Sequence, residues 1–303
     1  MGNERDFSDA VNMKTRVLED LDWLLSSPSL VTGESLQCTT IESLPSSAPE
    51  IEDLEQAILA RQSSRFRLGA YFESLVTAYL NCAPGVSELR TNTVIRDEKR
   101  TLGEFDYLFR NEAGQTEHWE VAIKFYLYAP GANADPNLCF LGPRAVDRLD
   151  RKVQHMREHQ LRLGFLPAAL GAIASRDELQ VKALMRGRLF YPLDMDWQTC
   201  NLSSMTTTDH LRGWWTRQHT TAGIPDADRY ILVDKPDWLT CPSAPVDDRV
   251  HTLKSLANTF EAELAYPIQV VGIDESQQEL HRGFVVPTDW PPIHASKGMA
   301  RNG

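Results

Sequence analysis

Two short stretches constrain this chain more than anything else in it. Residues 103–109, GEFDYLF, and 119–127, WEVAIKFYL, alternate bulky apolar side chains with charged or small ones, and a period of two marks a strand with two unlike faces. Phe105, Tyr107 and Phe109 share one face, with Glu104 and Asp106 on the other. Trp119, Val121, Ile123 and Phe125 oppose Glu120, Ala122 and Lys124 in the same way. The polar NEAGQTE between them carries a glycine and reads as a hairpin tip, as does the DEKR that follows a further strand at residues 91–97. An antiparallel three-strand meander is expected.

Helical periodicity brackets the meander. Ser8 caps an amphipathic segment over residues 8–24 whose apolar side chains are Val11, Val17, Leu18, Leu21 and Leu24. A Ser/Pro/Gly-rich connector follows to residue 50. The next helical region covers residues 51–81, broken or continuous, and its stripe of Phe72, Leu75, Val76, Tyr79 and Leu80 is expected to pack on the sheet. Glu73 lies with Gly69 on a different flank, free of that stripe. After the meander a basic helix over 144–163 aligns Val146, Leu149, Val153, Met156, Gln160 and Leu163 along one side. Strands are expected at 168–174 and 184–191, then at 230–233, 268–273 and 283–286, with Trp214 and Trp215 filling a core or interface. The resulting expectation is an α/β fold in three parts: an acidic N-terminal helix and connector over 1–50, a core over 51–192, and a C-terminal elaboration over 193–303.

Charge is distributed unevenly over this plan. The net formal charge is -11, but residues 1–60 carry -9, residues 61–190 carry +4, and the remainder -6. Affinity for phosphates comes largely from Lys and Arg, so only the middle suits a polyanion. The longest apolar stretch, residues 165–174, is about half the ~20 residues that span a bilayer. The opening MGNERDFSD has no apolar core of a signal peptide, so no membrane partner and a cytoplasmic location are expected. Cys38, Cys82, Cys139, Cys200 and Cys241 are widely spaced, which suits reduced structural thiols rather than a zinc cluster. Neither a glycine-rich phosphate loop nor a G-x-S-x-G elbow occurs, so no nucleotide cofactor is expected.

The polar face of the meander carries the candidate chemistry. If the second and third strands pair in register, Asp106 and Glu120 lie opposite one another, at about 5 Å. Two such carboxylates need positive charge between them, and a hard divalent cation, Mg²⁺ or Mn²⁺, supplies it while keeping waters and a substrate phosphate as further ligands. Lys124, on the same face, is placed to orient a water or to neutralise charge developing on phosphorus.

The order helix, strand, strand, basic helix, carrying RLGAYFESL, GEFDYLF, HWEVAIKFYL and GRLFYPL, resembles the PD-(D/E)XK nuclease superfamily over roughly residues 60–190. More narrowly it resembles an uncharacterised bacterial family placed there without an assigned substrate. The resemblance implies a restriction-endonuclease-like core of helix, three-strand meander, helix and strand. It also implies metal-dependent hydrolysis of a DNA or RNA phosphodiester, with Glu73, Asp106 and Glu120 holding Mg²⁺. The superfamily lysine would fall at position 122, which here is Ala122, while Lys124 stands about 6 to 7 Å further along the strand. Either Lys124 fills the role from its shifted position or cleavage is lost. Arg144, Arg148, Arg151, Lys152 and Arg157 on the following helix, with Arg186 and Arg188 beyond it, suit contacts to a nucleic-acid backbone. Gln154 is a possible polar neighbour of the site.

Two rival readings stand beside this one. The departure at Ala122 fits a catalytically inactive nuclease fold that binds nucleic acid or protein. His155, Glu158 and His159 spell H-M-R-E-H, which matches the H-x-x-E-H pattern of inverted zinc peptidases, without an identifiable third ligand.

Overall fold

A computed structural model of the chain describes residues 2–45, 50–98, 100–173, 179–242 and 249–292. The chain divides into two compact units, Met1–Ile123 with Val153–Arg186, and Lys124–Lys152 with Gly187–Gly303. Each unit is therefore assembled from two stretches of chain rather than one.

In the first unit three helices pack together. Helix α1 (Gly2–Ser26) begins earlier than its periodicity suggests and buries Val17, Leu21 and Leu24. It also buries Asp20, whose Oδ2 accepts from Arg61 Nη1 at 2.8 Å on α3 (Ile51–Gln62) and from the Tyr71 hydroxyl at 2.7 Å on α4 (Leu68–Cys82). The N-terminal helix is thus bonded into the unit, and the expected acidic arm is one of its walls. The helical region expected over 51–81 is two helices. After α3 the backbone turns extended at Ser63, whose hydroxyl takes the Arg65 N–H, a local bond that competes with helix continuation. Along α4, Tyr71, Phe72, Leu75, Val76, Tyr79 and Leu80 are all buried, each large side chain contributing about 1.5–3 kcal/mol.

Strands β2 (Ser87–Asp97), β3 (Arg100–Arg110) and β4 (Thr116–Tyr128) form the expected antiparallel meander. On the far side of β4 lies β6 (Leu179–Pro192), which pairs in parallel with the short β1 (Thr39–Thr40). A strand with neighbours on both edges is an interior strand, and β4 is buried on both of its faces over residues 116–123. The polar face of β4 is therefore not the solvated surface that simple alternation implies. A helix α2 (Gly33–Leu36), capped by the Thr32 hydroxyl, precedes β1.

The basic helix expected over 144–163 is shorter and changes character. Regular α5 (Leu149–His155) is followed by a π turn, Met156–Gln160. The strand expected at 168–174 is absent among the described residues 168–173. Pro167 instead opens a tight turn, Pro167–Ala169, and Ala169, Leu170 and Ala172 each donate to the carbonyl three residues back. Residue 174 lies outside the described residues. This segment still packs, because Leu163, Ala169 and Ile173 join Ile95, Phe105, Leu108 and Leu179 in one apolar cluster.

In the second unit the end of β4 pairs with β5 (Phe140–Leu141). The end of β6 pairs in parallel with β7 (Leu211–Arg217), and β7 with β11 (Glu279–Val286). Antiparallel pairing then runs from β11 to β10 (Ile268–Ile273), to β8 (Arg229–Val233), to β9 (Val250–His251). Helix α6 (Leu253–Thr259) contributes Leu256 to a core of Trp214, Ile224, Tyr230, Phe260, Val270 and Val285. Trp214 and Trp215 are buried, as bulk of this kind should be. Gly187 in β6 has φ +151, and a Cβ there would overlap the Lys124 carbonyl oxygen, so the sequence has glycine where two strands meet closely. The architecture is a mixed α/β fold. Among the described residues no helix is long and apolar enough to cross a membrane, and all five cysteines are free thiols.

Candidate functional site

The β3–β4 hairpin pairs antiparallel, and its ladder ends one step before the two acids. Its recorded pairs run from Arg110↔Thr116 to Tyr107↔Trp119, so Asp106 and Glu120 occupy the next position. There the ladder gives way to a side chain: Asp106 Oδ2 accepts the Val121 backbone N–H at 2.9 Å. Tyr107, the neighbour of Asp106, sends its hydroxyl to the Glu73 backbone carbonyl at 2.6 Å and ties β3 to α4. Burial pushes the Tyr107 phenol well above its ordinary value, and the nearby Glu73 and Asp106 charges add to the effect, so it remains a donor. The Glu73 backbone and the Asp106 carboxylate thus both lie against the β3–β4 hairpin in the first unit.

What surrounds Glu120 decides what these acids can do. Its side chain is 0% exposed. Oε1 meets His118 Nε2 at 2.7 Å, and Oε2 accepts from Gln160 Nε2 at 2.6 Å. His118 and Glu120 are two residues apart on β4 and so share a face. Burial lowers the His118 pKa to about 4, with the Asp106 charge pulling the other way. The imidazole is therefore neutral at neutral pH, and its Nε2–H donates to Glu120. Its Nδ1 is buried without a hydrogen-bond partner, and Phe105 packs edge-on against the ring at 4.5 Å. Gln160, the last residue of the π turn, reaches Glu120 from the segment that follows α5. Neither His118 nor Gln160 was a candidate from sequence. Strand parity with Glu120 marks the first, and membership of the inward stripe marks the second.

A divalent cation does not fit this arrangement as it stands. Mg²⁺ keeps several waters and asks for oxygens that face it, whereas Glu120 is sealed from solvent with both oxygens hydrogen-bonded. Among the described residues no set of three or more His, Cys, Asp or Glu side chains is grouped to hold a metal ion.

The expected cations have other engagements. Lys124 belongs to the second unit, where Nζ lies 2.6 Å from Asp147 Oδ2, a carboxylate that the Tyr126 hydroxyl also contacts. Arg186, expected to face phosphate, is 0% exposed and donates to the carbonyls of Leu24 and Ile41. Arg188 donates to the Arg212 carbonyl at 2.7 Å and lies 3.6 Å from Glu279. Burial lowers the pKa of each to about 10, so both remain charged and serve inside the protein. Arg148 makes a two-point contact with Asp150 at 2.9 and 2.6 Å. Arg144 and Arg151 are exposed, and Lys152 is half-buried.

The H-x-x-E-H segment is also laid out. The His155 and His159 rings lie 5.2 Å apart on an exposed surface. Glu158 accepts from Arg157 and Gln154 at 3.1 Å each, so the Gln154 amide is engaged with Glu158.

No curated protein and no solved structure shows a significant match to the chain. Over residues 19–286 the sequence matches the family model described as Domain of unknown function (DUF1853), and the chain belongs to that family.

Proposed function

We propose that the chain is a PD-(D/E)XK-like core, of the restriction-endonuclease type, that acts by binding a protein partner and has given up metal-dependent phosphodiester cleavage. The observation that carries this reading is the state of Glu120, sealed at 0% exposure between His118 and Gln160. A catalytic carboxylate must offer oxygens to a hydrated metal and a substrate phosphate, and this one spends both on internal donors. Ala122 at the expected lysine position, and the pairing of Lys124 with Asp147, support the same reading. A protein partner is favoured over nucleic acid because Arg186, Arg188 and Arg148 are engaged internally, while non-specific affinity for DNA or RNA rests on available cations.

Calorimetric titration of Mg²⁺ and Mn²⁺ into wild type and Asp106→Ala tests the reading, together with time courses on supercoiled, linear and single-stranded substrates. The expected result is indistinguishable heats and no cleavage. Stoichiometric Mg²⁺ binding lost in Asp106→Ala, with Mg²⁺-dependent cutting, would establish the nuclease instead. Fluorescence anisotropy with labelled duplex DNA and single-stranded RNA decides the partner class. Binding that weakens steeply between about 50 and 200 mM salt would replace the protein partner with a nucleic acid.

A further inference from the structure

The first unit contains a cleft whose lining includes none of Glu73, Asp106 and Glu120. Its volume is about 640 Å³, within the ~300–1,000 Å³ typical of sites for small organic ligands. Three chain segments build it: the end of α2 with the residues up to β1, the segment from the π turn to Leu166, and the start of β6. Leu36, Leu161, Phe165, Leu166, Leu179 and Val181 give its walls apolar surface, and Gln37 and Thr39 add polar surface beside it. Among the described residues the charged groups lining it are Arg157 and Arg162, both positive.

Two features separate this cleft from an ordinary surface crevice. Phe165 is 52% exposed and Leu166 38% exposed, so two large apolar side chains on the wall are open to solvent, and a ligand with an apolar part would gain by covering them. Arg162 is exposed, and Arg157 is a third exposed and shares Glu158 in a surface ion pair, so cationic groups accompany the apolar walls. The Cys38 thiol also lines the cleft, and its pKa is raised to about 11 by burial, which keeps it neutral and adds to the apolar character of the wall.

We propose that this cleft binds an anionic amphiphile: a molecule with an apolar tail of medium length and a carboxylate or phosphate head. The tail covers Phe165 and Leu166 and displaces the water over them. The head meets the Arg162 guanidinium, whose planar fork suits either oxyanion.

Decanoate, decyl phosphate and decan-1-ol, each titrated below its aggregation threshold into the full-length chain by calorimetry, test the proposal. Arg162→Glu and Phe165→Ser alter exposed side chains and leave the core clusters intact. The expected result is saturable 1:1 binding of at least one anion, at least about tenfold tighter than the alcohol, the value of one charge-assisted hydrogen bond. Arg162→Glu then weakens the anions by about tenfold or more and leaves the alcohol unchanged, whereas Phe165→Ser weakens all three. The relative affinities of decanoate and decyl phosphate identify the head group. No saturable binding by either anion, or binding indifferent to both substitutions, would overturn the proposal.

Discussion

Each unit holds a glutamate among internal partners, Glu120 fully buried and Glu279 about a quarter exposed, and the two are held by different chemistry. In the first unit Glu120 accepts from a neutral imidazole and from an amide. In the second unit Glu279 meets guanidiniums: Arg282 contacts it through Nε at 2.8 Å and Nη2 at 2.5 Å, and Arg188 lies 3.6 Å away. Burial drives the Glu279 pKa upward, but Arg282 and then Arg188 outweigh it and hold the value at about 2. The Arg282 guanidinium also donates to the Trp238 carbonyl and to Gln269 Oε1. The lesson is that burying an acid does not by itself make a catalytic site: charge complementarity or directed hydrogen bonds can each turn it into a structural member.

This contrast ranks the expected effects of substitution. Arg282→Ala should cost the most, about 3–5 kcal/mol of unfolding free energy, because it leaves a buried charge cluster without its main cation; urea denaturation measures it, and a loss below about 1 kcal/mol breaks the comparison. Glu120→Gln should cost less, about 1–3 kcal/mol, because one oxygen becomes an NH₂ that confronts the Gln160 or His118 donor. A double-mutant cycle of Glu120→Gln with Gln160→Leu should show coupling of at least about 0.5 kcal/mol, and strict additivity would remove Gln160 from the cluster.

Acidity separates the two kinds of group. His210 in the second unit donates Nδ1–H to the Thr207 carbonyl and faces the Tyr191 hydroxyl through Nε2, and burial lowers its pKa from 6.5 to about 4. Between those values the unfolded chain takes up the proton first, so stability declines as pH falls from about 6.5 to about 4. The Glu279 contribution is fully present above 4.5 and is lost as pH falls from 4.5 towards 2. The His118 pKa is lowered from 6.5 to about 4 in the same way, so denaturation midpoints at a series of pH values should fall in two stages, and His210→Gln should shrink the upper one by its own share and leave the part that His118 supplies. The smallest effect is expected for Lys124→Ala. Its ion pair with Asp147 is 29% and 46% exposed, so the loss should stay within about 1 kcal/mol. A larger change would place Lys124 in a more demanding role than a surface pair.

Much of the local structure was legible from the chain. The meander and its two hairpin turns followed from alternation and turn residues, and the stripe on α4 named its buried residues; the register between β3 and β4 was only a condition that alternation could not fix. The inward direction of Gln160 was written in the stripe that it shares with Val153 and Met156, both buried. The target of Gln160 was not, because Glu120 lies 40 residues away and helical period carries no information on what the inward face meets. Arg186 and Arg188 look like surface bases in sequence. Only the approach of the segments around Leu24 and Ile41, and of the strand bearing Glu279, turns them inward. The short helix around Leu149–His155 and the turn at Pro167–Ala169 likewise show local rules overruling a longer apparent period.

The sequence by itself determined which side of each strand and helix a residue occupies, because side-chain direction follows from backbone geometry at periods of 2 and 3.6. Only the tertiary structure decided what covers each side. Alternation cannot say whether a polar face meets water or another layer of protein. At Glu120 it meets His118 and Gln160, which come from β4 itself and from a turn 40 residues onward, and it is that non-local meeting that sets the chemistry available to the carboxylate.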